Sequence, residues 1–176
     1  MADLIPRLVV EVPCSLEQLN GCVTRKLKVR RNKNGREDEK ILHLELKRWW
    51  KDGTKVTFDG EGDQKPGFKP QDVQFIIKEA KHNAYTRKGD DLICNANISL
   101  KQALSGLVIN RPGIDGSNVH LEVNGVVKPN EESRVRNAEM KNKRGGRGDV
   151  IFKFNIEFPS YLSSEQKSQA KRFLPD

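Results

Sequence analysis

The segment "SLEQLNG", residues 15–21, recurs 84 positions later as "SLKQALSG", residues 99–106. Each copy follows a short run of alternating apolar residues, a pattern typical of a strand with one buried face. A second matching pair, "DVQF" at 72–75 and "DVIF" at 149–152, begins an apolar strand near the end of each half. Start and end segments that repeat at a similar period predict two related β units in series.

The rest of the sequence supports an all-β fold. Only 35% of the 176 residues are hydrophobic and 32% are charged, which favours two modest cores, or one elongated body with much surface, over one large core. Short apolar segments alternate with turn-rich segments such as "RNKNGRED" and "KHNAYTRKGDD", while "REDEK" and "NEES" are interpreted as solvated turns. We predict two tandem small β-sandwich domains with short helical turns, residues 1–85 and 86–160, followed by a C-terminal helical segment at 161–176.

That segment contains the one clear helix pattern, predicted from about Ser164 to Phe173. Ser163 or Ser164 can serve as its N-cap, good helix formers follow, and Pro175 ends it.

Composition and motifs exclude several classes of function. No apolar run approaches the ~20 residues needed to cross a bilayer, and the N-terminus is too short and polar for a signal peptide, so we expect a cytoplasmic protein. The cysteines Cys14, Cys22 and Cys94 form no disulfide framework or metal-binding motif and are interpreted as small buried hydrophobic residues. No glycine-rich segment lies between a strand and a helix, as a phosphate-binding loop would require. We therefore predict neither catalysis nor a cofactor or metal.

The most unusual segment is "RKLKVRRNKNGR", residues 25–36, which contains seven basic residues and no acidic one. In a strand, successive side chains alternate between the two faces. Leu27 and Val29 share one face with Arg25 at its edge, and Lys26, Lys28 and Arg30 share the other. Two interpretations stay open at this point. The segment is either a half-buried strand with a solvated basic face, or one wall of an apolar groove bordered by cations that suits a hydrophobic peptide with a negative end.

Several longer segments resemble, in order, the C-terminal substrate-binding region of DnaJ-type (heat-shock) co-chaperones. They are "VPCSLEQLNGCVTRKLKV", "WKDGTKVTFDGEGDQ", "RKGDDLICNANISLKQALSG", "IDG" and "RGDVIFKFNIEFP". The resemblance implies two similar β-sandwich domains and a short C-terminal helical segment that dimerises the protein. Type I members insert a zinc-binding region with C-x-x-C motifs between the first two strands. Because the chain has no such insertion, it resembles a type II member.

The chain departs from the family pattern at three places. The J-domain with its His-Pro-Asp motif and the Gly/Phe-rich linker are absent, so we expect a fragment that does not stimulate ATP hydrolysis by its partner. Trp49 is an extra aromatic residue where relatives usually have glycine or proline. The second unit has "RNAEMKN", residues 136–142, in place of the usual Gly-x-Gly-x-Pro.

The resemblance also implies a binding site and two classes of partner. The family's groove binds unfolded polypeptide and the acidic Glu-Glu-Val-Asp tail of cytosolic DnaK-type chaperones. A homodimer is expected through Leu162, Phe173 and Leu174. The apolar walls of the groove correspond to Val10, Val12, Leu27, Val29 and Phe75, and the residues that receive acidic groups correspond to Arg25, Lys26 and Lys28.

Two other classes of function remain as alternatives. The net charge of +8, the basic strand and the segment "KNKRGGRG" suggest a nucleic-acid-binding β module. Only 6% of residues are aromatic, however, and no cluster resembles a base-stacking platform, which makes nucleic acid an unlikely partner. The other alternative is a purely structural dimerisation scaffold.

Overall fold

The structure, a computed structural model, describes residues 3–136, 138, 140 and 143–176. This part of the chain contains thirteen strands, most of them short, and three short helices, which confirms the predicted all-β fold. Of the segment at 136–142 that departs from the family pattern, residues 137, 139, 141 and 142 lie outside the described residues.

The first strand set covers residues 3–79 and forms three small sheets. The elements of this set are β1 (Asp3–Leu4), β2 (Leu8–Cys14), α1 (Leu16–Asn20), β3 (Thr24–Lys33), β4 (Arg36–Glu45), β5 (Lys55–Phe58), β6 (Phe68–Lys69) and β7 (Val73–Glu79). The main sheet has the order β2-β7-β5, with β2 parallel and β5 antiparallel to β7. Strands β3 and β4 form a long antiparallel hairpin, and β1 pairs with β6.

The second strand set, residues 86–157, repeats the main sheet and the hairpin of the first set and adds one strand. The elements are β8 (Thr86–Lys88), β9 (Asp91–Ser99), α2 (Leu100–Ser105), β10 (Leu107–Pro112), β11 (Asn118–Val123), β12 (Glu132–Val135) and β13 (Val150–Glu157), and the helix α3 (Ser164–Phe173) follows the set. The main sheet has the order β12-β13-β9-β8, in which β9 and β13 are parallel, and β10 and β11 form an antiparallel hairpin.

The repeated sequence segments have the same structural role in both sets. Ser15 and Ser99 are the N-caps of α1 and α2, and each forms a capping box with the glutamine three residues later. The backbone carbonyl of Asp72 accepts a 2.9 Å hydrogen bond from the N–H of Leu8, the first residue of β2. The carbonyl of Asp149 likewise accepts a 2.9 Å hydrogen bond from the N–H of Leu92, the second residue of β9. The repeat in the sequence therefore encodes a repeated connection from the first strand, through a helical turn, to a hairpin.

Each set buries the inner face of its main sheet against its hairpin. In the first set, alternate residues of β2 and β7 face Val29 of β3 and the buried leucines of β4, and Phe58 meets Phe75 edge to face at 5.5 Å. In the second set, Cys94 and Phe152 lie side by side on β9 and β13 and are fully buried. Cys14 is buried in the same way, but Cys22 is exposed, so the prediction that all three cysteines are buried is wrong for Cys22.

The structure also corrects the prediction of turns. The predicted turns "RNKNGRED" and "REDEK" belong largely to β3 and β4, and only Asn34 and Gly35 form the turn, with φ of 50° and 91°. This is the Asn-Gly pair that two-residue hairpin turns prefer. Similarly, the last two residues of "NEES" begin β12, which adds an edge strand to the second main sheet.

The helix α3 begins and ends at the predicted residues, with Ser163 as its N-cap. None of its ten residues is buried. No helix in the described part of the chain is long and apolar enough to span a membrane.

Candidate functional site

The two main sheets differ at one edge. In the second set, β8 pairs with the outer edge of β9. In the first set, β2 occupies the corresponding place, and none of the described strands pairs with its outer edge. An unpaired edge presents backbone N–H and C=O groups to which an extended peptide can add as a further strand. The candidate groove is defined here as the space between this edge of β2 and the hairpin strand β3.

The predicted apolar residues of the groove belong to one cluster but differ in accessibility. Val12, Val29 and Phe75 are buried, with at most 4% of each residue exposed, so they form the base. Val10 and Leu27 are partly buried and pack against that base. Val10 lies directly beside Phe75 in the parallel register of β2 and β7. Leu27 and Val10 are therefore the apolar side chains that a bound peptide can reach.

Arg25 lies on the same face of β3 as Leu27 and bridges the groove at one end. Its Nη1 donates to the backbone oxygen of Pro13 on β2 at 2.7 Å and lies 3.5 Å from Gln18 Oε1. Burial raises the pKa of the nearby Cys14 thiol, although the Arg25 guanidinium opposes this shift. The remaining guanidinium N–H groups of Arg25 are suited to a carboxylate because the group carries five donors.

Lys26 and Lys28 lie on the outer face of β3, opposite Leu27, as the alternation predicts. The Lys28 ammonium is 3.5 Å from a Glu39 carboxylate oxygen, and Arg30 shares that carboxylate at 3.2 Å. Both lysines are exposed. A ligand that uses Leu27 and these lysines together must therefore pass over the open edge of β3.

Two neighbours of the lysines were missed at the sequence level. In the hairpin register Lys26 is opposite His43 and Lys28 is opposite Ile41, and Ile41 is 52% exposed. The only sequence indication was the alternation in "ILHLE", which places residues 41 and 43 on the same face. The outer face thus presents an aliphatic side chain among cations.

A buried arginine holds the far end of the hairpin in place. The Arg31 side chain is 6% exposed; its Nε donates to Asp38 at 2.8 Å, and its Nη1 donates to both the backbone and the side chain of Glu61 at 3.1 Å. Lys40 reaches the same Glu61 carboxylate at 2.8 Å. The hydrogen bond from Lys40 and, less strongly, the one from Arg31 lower the pKa of Glu61, although partial burial opposes both effects.

Nothing in the described residues resembles a metal centre. No group of three or more histidine, cysteine, aspartate or glutamate side chains among them is close enough to hold an ion. The candidate site among these residues therefore consists of a backbone edge, apolar side chains and cations.

Comparison with known proteins identifies the family. The DnaJ C terminal domain model matches residues 8–159. The chain is 38% identical to the human DnaJ homolog subfamily B member 5 over 97% of its length and 36% identical to DnaJ protein homolog 1 of Drosophila melanogaster over 92%. It is 32% identical to Protein SIS1 of Saccharomyces cerevisiae over 90%.

The chain therefore belongs to the DnaJ C-terminal domain family, and the predicted resemblance to the C-terminal region of type II DnaJ-type co-chaperones is confirmed. The family is one of co-chaperones and not of enzymes. The chain spans about half the length of the curated relatives it matches, 51% for the human protein and 46% for the yeast protein.

Proposed function

We propose that this chain is the peptide-binding part of a co-chaperone and that it binds extended segments of unfolded polypeptide in the groove between β2 and β3. The observation that carries the proposal is the open edge of β2 beside Leu27 and Val10. A peptide that adds to this edge forms backbone hydrogen bonds whatever its sequence, which suits a protein with many clients. Its alternate side chains would contact the apolar cluster.

We further infer that the same region binds the acidic C-terminal tail of a DnaK-type chaperone. Apolar side chains would bury against Leu27 and Val10, which at about 25 cal/mol per Å² contributes roughly 1–2 kcal/mol for one well-filled pocket. The carboxylates would meet Arg25, Lys26 and Lys28, where exposed pairs contribute only ~0.2–1 kcal/mol each and are screened by salt. These small terms favour weak, reversible binding rather than nanomolar affinity, as suits a partner that releases its client.

The experiment that tests these proposals separates the apolar contribution to binding from the ionic contribution. The double charge reversal Lys26→Glu with Lys28→Glu should abolish binding of an acidic-tail peptide but retain much of the affinity for a neutral hydrophobic peptide. Leu27→Glu should weaken both. Fluorescence anisotropy with labelled peptides measures both affinities, and an oligonucleotide of matched charge tests nucleic-acid binding in parallel.

Matched variants control for net charge and for folding. Lys55→Glu with Lys78→Glu changes the net charge equally at exposed positions of β5 and β7, and should leave both affinities within about twofold. Leu121→Glu places the same substitution at a partly buried leucine of the second hairpin. If Leu27→Glu binds both peptides like the unaltered chain, or if Leu121→Glu causes the same loss, the groove has been assigned wrongly.

We also propose that the chain forms a homodimer through its C-terminal segment. Leu162 is partly buried, whereas Phe173 and Leu174 are 71% and 50% exposed. Tyr161 in the same segment and Phe158 just before it, which were not predicted, are 79% and 70% exposed. Exposed aromatic and aliphatic side chains in this part of the sequence support a contact with a second copy.

A further inference from the structure

The chain contains three Asn-Gly pairs, at residues 20–21, 34–35 and 124–125. In such a pair the glycine nitrogen can attack the side-chain carbonyl carbon of the asparagine, because no β-carbon on the glycine restricts the backbone. The attack requires a glycine N–H that is not held in a hydrogen bond and a main chain that is free to turn. The structure gives the three pairs different surroundings, so we compare them in turn.

The pair at 20–21 ends the helix α1 and is held on both sides. The N–H of Gly21 donates to the carbonyl of Glu17 at 2.9 Å, and the carbonyl of Asn20 accepts a 2.7 Å hydrogen bond from Arg48 Nε. Asn20 is also half-buried. Attack at this position would first require these hydrogen bonds to break, which means local unfolding of the end of the helix.

The pair at 34–35 is exposed, but it is fixed by the hairpin that it closes. The N–H of Gly35 donates to Asn32 Oδ1 at 2.8 Å, and the N–H of Asn34 donates to the carbonyl of Gln64 at 2.9 Å. On both sides of the turn, β3 and β4 are paired along their whole length. The nitrogen that would attack is therefore already a hydrogen-bond donor, and the paired strands keep the main chain from turning.

The pair at 124–125 lies in an exposed, irregular segment directly after β11. Within the described part of the chain, neither the Asn124 side chain nor the Gly125 N–H has a hydrogen-bond partner. A β-carbon at Gly125 would meet nothing within 4 Å, which shows that the space around this glycine is open. Both requirements for the attack are therefore met at this pair.

The segment that carries this pair is held only at its two ends. At one end Val123 is the last residue of β11, and Gly106 lies so close that a β-carbon there would be 3.0 Å from the Val123 carbonyl oxygen. At the other end the N–H of Val127 donates to the carbonyl of Ala103 in α2 at 2.8 Å. The residues between these ends, 124–126, are all exposed.

We propose that Asn124 is a site of spontaneous modification, at which the folded chain converts asparagine into aspartate and isoaspartate. The Gly125 nitrogen loses its proton to hydroxide and bonds to Asn124 Cγ. The bond from Cγ to the side-chain nitrogen then breaks, and this nitrogen takes a proton from water and leaves as ammonia. Water opens the resulting cyclic imide at either of its two carbonyls. The reaction needs no enzyme, oxidant or cofactor.

The test follows the three pairs in one sample of the full chain. The chain is incubated at mildly alkaline pH, where more of the attacking nitrogen is deprotonated, then digested in acid and analysed by mass spectrometry of its peptides. Conversion at Asn124 should be at least about tenfold faster than at Asn20 or Asn34, because an opening that costs about 1.4 kcal/mol slows the reaction tenfold. In urea that unfolds the chain, the three pairs should react at similar rates.

Variants of the pair test the chemistry. Asn124→Gln should abolish the conversion, because the attack would have to close a larger ring. Gly125→Ala should slow it by at least about tenfold, because a β-carbon restricts the backbone turn that the attack needs. The new β-carbon meets no other atom, so the slower rate cannot come from altered packing. Val126→Ala is the matched control, since it changes the next exposed residue and should leave the rate unchanged.

The modification also has a structural consequence. Both products carry a negative charge that asparagine lacks, and isoaspartate lengthens the main chain between the fixed ends at Val123 and Val127. Chain enriched in isoaspartate should therefore unfold at a lower urea concentration than Asn124→Asp, which carries the charge alone. Equal midpoints would show this consequence to be wrong. No conversion at Asn124, conversion as fast at Asn20 or Asn34 in the folded chain, or an unchanged rate in Gly125→Ala would overturn the proposal.

Discussion

Gly148 brings two segments of the second strand set into contact. Its N–H donates to the Met140 carbonyl at 3.0 Å, while its α-carbon lies against the Asp90 backbone. Position 148 has to be glycine because any side chain would collide with the backbone carbonyl oxygen of Asp90. In the sequence, "KRGGRG" indicated only a basic segment, because the partner backbone is far away in the chain.

We expect Gly148→Ala to destabilise the protein by about 1–3 kcal/mol, the usual cost of forcing extra atoms into a filled space. Urea denaturation measures this as a lower midpoint. Gly125→Ala is the control, because its β-carbon would meet nothing within 4 Å. That variant should be neutral or slightly stabilising. Equal midpoints for the two variants would show that the close approach is absent.

At the scale of elements, the β3–β4 hairpin depends on a group of charges at its turn end. Arg31 is buried and is neutralised by Asp38 and Glu61, and Glu61 also receives Lys40. Hydrogen bonds to charged partners contribute more than neutral ones, and removing one partner leaves a buried cation poorly compensated. The hairpin is therefore fixed to the loop that follows β5 by ionic contacts.

Glu61→Gln should lower the free energy of unfolding by roughly 1–2 kcal/mol near pH 7, toward the low end for a charged hydrogen bond because Glu61 is partly exposed. The pKa of Glu61 is lower in the folded state than its ordinary value of 4.5. Its contribution is therefore present above about pH 4.5 and is lost as the pH falls through the folded-state pKa.

The difference between Glu61→Gln and the unaltered protein should accordingly shrink as the pH falls below about 4.5, as measured by urea denaturation at a series of pH values. Glu37→Gln is the control, since Glu37 is exposed on the same hairpin and forms no ion pair with any described residue. A difference that stays constant with pH would argue against the ionic explanation.

Elements formed by local interactions were predictable from the sequence. The helix α3 was placed correctly because a capping serine and a proline mark its ends, and the apolar strand predicted to begin near "DVQF" is β7. Glu37 and Glu39 were assigned to a turn because charged residues favour solvent, yet they lie on the exposed side of β4. Both residues are in a strand because β4 pairs with β3, and the β propensity of a single residue does not include such pairing.

The candidate site was predictable to a similar extent. Alternation along β3 correctly separated Leu27 from Lys26 and Lys28. The accessibility of Val12 and Phe75 could not be predicted, because burial depends on which sheet covers them. The open edge of β2 could not be predicted because it depends on strand order. Strand β8 pairs with β9, and none of the described strands pairs with the outer edge of β2.

At the scale of the whole molecule, α3 raises the question of what stabilises it. An isolated helix of ten residues is below the ~12–15 at which helices become marginally stable in water, and none of its residues is buried. If the proposed dimer forms, Phe173 and Leu174 supply the missing packing. Deleting residues 163–176 should then reduce the sedimentation coefficient to that of a monomer.

Phe173→Glu should weaken the dimer by at least about tenfold, because a charge would replace an aromatic group at the contact. Sedimentation over a concentration series measures this. Val126→Glu, at a residue 57% exposed in the second strand set, is the control and should leave assembly unchanged. A truncated chain that sediments like the full chain would contradict the dimer proposal.

The parallel pairs β2–β7 and β9–β13 also set the order in which the chain can fold during synthesis. Val10 pairs with Phe75, and Cys94 pairs with Phe152, so each main sheet joins the beginning of its strand set to the end. Such distant pairing is slow, because a long loop must close before the contacts form. The first sheet can close once β7 has left the ribosome, whereas the second must wait for β13. The groove of the first strand set can therefore be assembled on a nascent chain whose second half is still being translated.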